Sequence, residues 1–341
     1  MLRAGLSGCG AAGKQAVHAV RQHGHCDIVA LHDPDADALR ALQQDTGINR
    51  GTTDFRELLA TGVDFVVLAG PPGVRREQVH IAAEQVVHCL VHAPMASSLA
   101  DASAMLATTD AASLKLGVAV SGHDDPVFEQ IRRMIGADWF GGLVSVQAIW
   151  GEDDLLRAPP RPNCWQLQPD LAGHDPLLRL AANHVHLASW LTGRAALRVT
   201  AQAAGGLLPL AHDTAVATAV LRGNVLCTFA ASHLYRSRSF MLLGTDGSVR
   251  IDGDRICVRG EKPFTGDVFD YAAPGTDTVW TRADLEPQLA KHAGAHELHG
   301  RFARWIDDLD DFPCTGEQAI ADLRTLDAMA RAAVSGKTET V

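Results

Sequence analysis

The sequence has no CxxC pair, no apolar run of bilayer length and no excess of basic residues, and each absence narrows what the chain can be. Its seven cysteines, Cys9, Cys26, Cys89, Cys164, Cys227, Cys257 and Cys314, are scattered and odd in number. That distribution argues against a disulfide framework and for a reducing cytoplasm. No segment approaches the roughly 20 consecutive apolar residues of a membrane-spanning helix. The N-terminus enters a strand-like run at once, with no long apolar leader, so neither secretion nor membrane insertion is expected. A formal charge of −10 argues against a nucleic-acid or anionic-membrane surface. Internal repeats and low-complexity tracts are absent too. What remains is a globular composition, 47% hydrophobic and 21% charged, in 341 residues, long enough for two domains each with its own core.

The first fourteen residues carry the most information. A short apolar run leads into Gly8-x-Gly10-x-x-Gly13, and Ala11 to Val20 reads as a helix of small residues. In a dinucleotide-binding turn one glycine makes the turn, one lets backbone approach the pyrophosphate, and one lets helix and strand pack closely. Unpaired amides at the helix start, aided by the dipole, then face the phosphates. The helix ends at Gly24, and the strand Asp27–His32 delivers Asp33, 20 residues past Gly13, where such a unit places an acid on the ribose hydroxyls. Gly8, Gly10, Ala11, Ala12, Gly13 and Asp33 are therefore cofactor-binding candidates. Because no Arg adjoins Asp33 and a carboxylate repels a 2′-phosphate, NAD is expected over NADP.

Further along, strands and helices alternate. Pro34 and Asp35 open a helix through Leu42, Thr52-Thr53-Asp54 caps a short helix from Phe55 to Ala60, and Val63–Ala69 is a continuous apolar run suited to a strand buried on both faces. Gly70-Pro71-Pro72-Gly73 interrupts it, a helix follows to Val87, and His88–His92 is the next strand. Ser97 or Ser98 caps another helix before the strand Leu114–Val120. This spacing implies a doubly wound parallel sheet, with ligands beyond the carboxyl ends of its strands. Gly70, Pro71, Pro72 and His92 stand at such ends and join the cofactor-binding candidates. After about residue 122 the pattern changes. A helix over Phe128–Ile135 and a strand over Leu143–Trp150 precede a Pro-rich stretch, 151–175, of a length that is usually functional or mobile. A helix from Pro176 to Leu191 stops at Gly193. Ala196–Arg259 then alternates like antiparallel strands, with turns at Arg222-Gly223-Asn224 and Asp246-Gly247, and two amphipathic helices follow, about His296–Asp308 and Glu317–Ala333. The expected organisation is a Rossmann domain over residues 1–121 and an α+β domain over 122–341, whose large, mostly antiparallel sheet is open with helices on one face.

Taken together, Gly8-x-Gly10-x-x-Gly13, Asp33-Pro34-Asp35, Ala69-Gly70-Pro71-Pro72, Pro94-Met95-Ala96, Trp165–Gly173, Trp190-Leu191-Thr192-Gly193 and Gly244-Thr245-Asp246-Gly247 resemble the glucose–fructose oxidoreductase, inositol dehydrogenase and MocA-like (Gfo/Idh/MocA) family. The resemblance runs from Arg3 nearly to the C-terminus. It implies a Rossmann domain coupled to a C-terminal α/β domain, a nicotinamide cofactor, a polar small-molecule substrate, and homodimers or homotetramers joined through the C-terminal sheet. It also implies a departure. The family's usual Glu-Lys-Pro aligns with His92-Ala93-Pro94, and its Asp, His and Asp ahead of Trp-Leu-x-Gly fall on Arg179, Asn183 and His186. The family's lysine touches the nicotinamide ribose and the reacting hydroxyl, and Ala93 can do neither.

The residues that replace this set are themselves chemical. His186 shares a helical face with Asn183 and is the first candidate for the acid–base group, since imidazole titrates near neutrality. His92 is the second. Arg179 could clamp a substrate carboxylate with its planar fork. His184 points elsewhere and is expected on the surface or behind the site, and Tyr235, in the run Ser232–Ser237, is either a proton donor or part of sheet packing. The leading reading is an NAD(P)-dependent oxidoreductase of a sugar-, polyol- or cyclic-alcohol-like molecule with a non-standard acid–base set. The alternatives are a lyase or decarboxylase on the same cleft, possible with a metal held by His92, His174, Asp175 and His186, and an inactive dinucleotide-binding protein. No compact metal-ligand motif supports the metal version.

Overall fold

The strands β1 (Leu2–Ser7), β2 (Cys26–His32), β3 (Gly51–Thr52), β4 (Phe65–Leu68), β5 (His88–His92) and β6 (Leu116–Ala119) form a parallel sheet in the order β3-β2-β1-β4-β5-β6. The computed structural model describes residues 1–23, 25–157, 164–173 and 177–341, with backbone alone for 22, 23 and 293–296. Ala4, Leu6 and all of Phe65–Leu68 are buried, which is why these strands read as unbroken apolar runs. Strand order reverses between β1 and β4, the switch point beside which ligands of doubly wound sheets bind. Helices α1 (Ala11–His23), α2 (Ala36–Thr46), α3 (Phe55–Leu59), α4 (Arg75–Glu84) and α5 (Leu99–Ala111) make the connections. Their starts are fixed by local chemistry. The Asp35 side chain accepts from the Asp37 and Ala38 amides, Asp54 from Arg56, and Ser98 from Asp101, while Gly47 ends α2 in the left-handed region.

Asp125 caps α6 (Pro126–Gly136), with Pro126 in its first turn. Then come β7 (Leu143–Gly151) and two short helices, α7 (Asp154–Arg157) and α8 (Pro169–Ala172). The expected helix after them starts outside the described residues; from Leu177 to Ala181 it is a π-turn, which runs into α9 (Ala182–Thr192) and ends at the left-handed Gly193. The strands β8 (Ala196–Ala204), β9 (Thr214–Leu221), β10 (Val225–Ser232), β11 (Ser237–Gly244), β12 (Gly247–Asp252), β13 (Arg255–Gly260) and β14 (Thr278–Thr281) follow. Helix α10 (Glu286–His296), which the sequence reading did not foresee, comes next. With β7 and the late strand β15 (Glu339–Thr340), they build a nine-stranded sheet in the order β14-β13-β12-β11-β7-β10-β9-β8-β15. All neighbours are antiparallel except β7 and β10. Val146, Ala148, Val199, Ala217 and Phe229 point to the buried face, and Gln147, Thr200, Thr218 and Thr228 to the exposed one.

The last helices are α11 (Leu298–Ile306) and α12 (Gly316–Ser335). The chain divides into two units. The first comprises Met1–Asp124, Asp170–Gly173 and Gly294–Ile320, the second Asp125–Pro169, His174–Ala293 and Ala321–Val341. Thus α11, which the sequence reading places in the second domain, belongs to the first unit. The cause is its apolar stripe: Leu298, Phe302 and Ala303 join the core made by Ala4, Leu6, Phe65 and Leu90. Phe302 lies edge-on to Phe65 and Phe312, each with centroids 5.4 Å away. Its removal would open a cavity against a strand that cannot collapse. Phe302→Ala is therefore expected to lower the unfolding free energy by about 3–5 kcal/mol in denaturant titration.

Candidate functional site

The turn after β1 is built around two glycines that tolerate no side chain. A Cβ on Gly13 would lie 1.9 Å from the Gly8 carbonyl oxygen, and one on Gly8, at φ +103°, would lie 2.5 Å from the Gly70 amide nitrogen. At Gly10, by contrast, nothing stands within 4 Å of the Cβ position. The close approaches draw β1, α1 and the end of β4 together, while the open side at Gly10 leaves backbone accessible. Helix α1 starts at Ala11 without an acid in its first turn, and its leading amides have no intrahelical acceptor. The set fits a pyrophosphate. Asp33 is fixed beside it: one carboxylate oxygen accepts from the Cys9 amide at 2.7 Å, the other from the Asp35 amide at 2.9 Å. Under the turn, Gln78 donates to the Ser7 hydroxyl and Ser7 meets His32 Nδ1, both at 2.9 Å. Burial keeps His32 below the ordinary imidazole range.

At the neighbouring strand ends the organising residue is Arg75, which sequence reasoning missed. Its guanidinium is buried and donates to the Gly70 carbonyl through Nε (3.2 Å) and Nη2 (2.7 Å), and through Nη1 to the carbonyls of His92 and Pro94. It thus ties the Gly70-Pro71-Pro72 turn to the segment His92-Ala93-Pro94, whose Ala93–Pro94 bond is cis. Burial pulls the Arg75 pKa down to about 9. A single arginine after Pro-Pro-Gly-Val gave no signal in the sequence, because its three acceptors are main-chain atoms. His92 has a buried Nε2 with no partner among the described residues, and its ring is 6.1 Å from that of His299. Burial, then the nearby His299 and Arg75, pushes His92 down to about 3. It is a neutral imidazole near neutral pH, unsuited to delivering a proton. His299 Nδ1 pairs with Glu297 at 2.5 Å, and the same carboxylate caps α11 through the amides of His299 and Gly300.

In the second unit, Arg179 sits on the π-turn, and its Nη2 donates to His233 Nδ1 at 2.8 Å. His186 is buried, and its Nδ1 pairs with Asp322 of α12 at 2.5 Å; Ser189 donates to the other oxygen of that carboxylate at 3.0 Å. Arg179 and His186 thus engage different partners, and His92 belongs to the other unit. Asn183 is half-buried on α9. His184, expected on the surface or behind the site, is instead a core residue. Its ring lies 5.0 Å from Trp150 and 6.5 Å from Phe240, and burial pushes it down to about 4. Tyr235 is 39% exposed, yet one edge of its ring lies against Gly151 at the end of β7, where a Cβ would come within 2.6 Å of ring carbons, so it packs on the sheet. His174 and Asp175 lie outside the described residues.

Comparison with known proteins agrees with this architecture. The model of the oxidoreductase family with the NAD-binding Rossmann fold matches residues 2–120, and the GFO/IDH/MocA C-terminal domain model matches 128–250. The chain belongs to the Gfo/Idh/MocA oxidoreductase family. Within it, the chain is 28% identical over 264 residues to D-apiose dehydrogenase of Paraburkholderia graminis, covering 73% of this chain and 67% of that protein. An oxidoreductase domain protein from Kribbella flavida superposes with TM-score 0.84 at 22% identity, over 100% of this chain and 99% of the other. Levoglucosan dehydrogenase in complex with NADH and levoglucosan also gives 0.84, at 17% identity and the same coverage. These structures share the fold of this Gfo/Idh/MocA protein.

Its buried neutral imidazoles have a thermodynamic consequence. The folded-state pKa of His184 lies below the roughly 6.5 of an unfolded chain, so the unfolded state binds more protons between the two values. The contribution is fully present above about 6.5 and is lost as pH falls toward about 4. His184→Phe is expected to flatten the fall of unfolding free energy between those limits by up to about 1.4 kcal/mol per pH unit, read from denaturant titrations at several pH values.

Proposed function

We propose that the protein is an NAD-dependent dehydrogenase of a sugar or a closely related polyol. The observation that carries this reading is the glycine turn, closed at Gly8 and Gly13 and open at Gly10, with Asp33 fixed beside it. The backbone of Gly10, Ala11, Ala12 and Gly13 would hold the pyrophosphate, and Asp33 the ribose hydroxyls. Gly70, Pro71, Pro72 and His92, drawn together by Arg75, would border the remainder. A nicotinamide bound there supplies the hydride acceptor. The fixed carboxylate of Asp33, its oxygens already oriented by two amides, would repel a 2′-phosphate and so favours NAD over NADP. The names of D-apiose dehydrogenase and levoglucosan dehydrogenase support a sugar as substrate.

For the proton that accompanies hydride transfer, His186 is the better of the two imidazoles. Asp322 fixes which ring nitrogen faces α12, an orientation of the kind that general bases require, whereas His92 is held neutral by burial. Seven free cysteines support a cytoplasmic location, and no helix among the described residues is long and apolar enough to cross a membrane. The exposed face of the nine-stranded sheet carries Ile149, Val216 and Leu226 and supports self-association as a dimer or tetramer.

Fluorescence titration with NADH and NADPH tests the cofactor assignment. NADH is expected to bind at least about tenfold more tightly, and Asp33→Ser to narrow that difference; binding of neither dinucleotide at millimolar concentration would refute the reading. The acid–base assignment is checked by following NADH formation with a panel of sugars. His186→Asn is expected to lower kcat by about a hundredfold with dinucleotide affinity retained, and unchanged turnover would remove His186 from the chemistry.

A further inference from the structure

The π-turn Leu177–Ala181 carries a guanidinium that no acid of the described residues meets. π-turns inside helices are rare and concentrate at functional sites. Among the described residues the buried Nε of Arg179 has no partner, its Nη2 meets His233 Nδ1 at 2.8 Å, and its Cζ is 6.0 Å from the Trp165 ring. The described acids of this region have partners of their own. Glu152 accepts from Trp150 Nε1 at 3.1 Å, Asp153 is taken by Arg157 and Arg236, and Asp154 pairs with Arg236 at 2.8 Å. The Asp213 carboxylate accepts from the Leu207 and Leu208 amides at 2.9 and 3.4 Å.

His233 sets the orientation of the fork. Accepting from a guanidinium requires a lone pair at Nδ1, so the His233 proton is on Nε2 and the ring is neutral. Burial and the adjacent Arg179 push its pKa down to about 3. The main chain there is fixed as well: the His233 amide donates to the Asp213 carbonyl at 2.8 Å, and Ser232 shares a 2.7 Å hydroxyl bond with Thr214. One half-buried positive charge, a neutral imidazole and an aromatic face therefore form a preset receptor for negative charge. Glu152, whose partner Trp150 brings no cation, acts on Arg179 and would oppose a dianion more than a monoanion.

We propose that Arg179, oriented by His233, binds the carboxylate of the substrate, which makes the preferred substrate a monocarboxylated sugar, an aldonate or a uronate, and not a neutral sugar or a sugar phosphate. The planar fork matches a carboxylate in a two-point contact that a lysine cannot reproduce. That the carboxylate belongs to a sugar rests on the dehydrogenase reading above; that the site binds a monoanion does not.

Calorimetric titration of the NAD-loaded protein with D-glucuronate, D-gluconate, D-glucose and inorganic phosphate tests the proposal. At least one of the two acids is expected to bind at least tenfold more tightly than glucose and phosphate. Arg179→Met should remove that margin, Arg179→Lys should restore only part of it, and His233→Ala should weaken the acids while leaving glucose unaltered. Circular dichroism establishes that each variant is folded. Acids that bind no better than glucose, phosphate that binds better than the acids, or an acid affinity unchanged in Arg179→Met would each overturn the proposal. If the acids bind through Arg179 and no NADH forms, the anion site stands and the dehydrogenase reading falls. If glucose yields NADH equally in wild type and Arg179→Met while the acids do not bind, the dehydrogenase reading stands and the proposal falls.

Discussion

A guanidinium that is bonded only to carbonyl oxygens holds the ligand edge of the parallel sheet together. Arg75 reaches Gly70 at the end of one strand and His92 and Pro94 at the end of the next. Neutral acceptors do not cancel its charge, so the positive potential remains at the place where a doubly wound sheet receives anionic ligands. The same edge is compressed from the other side by Gly8 and Gly13, where backbone approaches backbone too closely for any Cβ. Together these contacts fix the spacing of three strand ends, and a strand-end site depends on that spacing.

Burial decides what the histidines can do. His92, His184 and His233 are all pushed well below the ordinary imidazole range by loss of solvent, and each then works as a neutral ring: beside Arg75, against Trp150, or as an acceptor for Arg179. His186 and His299 differ because a carboxylate meets Nδ1 at 2.5 Å in both. These five imidazoles thus separate into three that burial keeps neutral and two whose tautomer a carboxylate dictates.

The parts of the fold that were legible beforehand are those written locally. Asp54 and Ser98 cap helices through amides two or three residues ahead, and the spacing of Gly8, Gly10 and Gly13 acts within a single turn. The apolar runs of β4 and β5 speak for themselves. Arg75 and His233 were not legible in the same way. Arg75 meets main-chain oxygens up to 19 residues away, and the partners Arg179 and His233 are 54 residues apart. Nothing in the residue types names such partners before the fold brings them together. Helix α11 is legible as a helix while its neighbour is not, since an amphipathic stripe states that a face is buried without stating against what.

The return of α11 to the first unit has a consequence for synthesis. The core that surrounds Phe65 draws Leu298, Phe302 and Phe312 from more than two hundred residues downstream. A ribosome releasing this chain has therefore exposed the complete set of parallel strands long before their cover exists, and the unit cannot close as an N-terminal domain ordinarily does. Its final assembly waits for nearly the whole polypeptide. Fragments that stop short of residue 298 would present an apolar sheet face to the cell, a cue that quality-control factors can read.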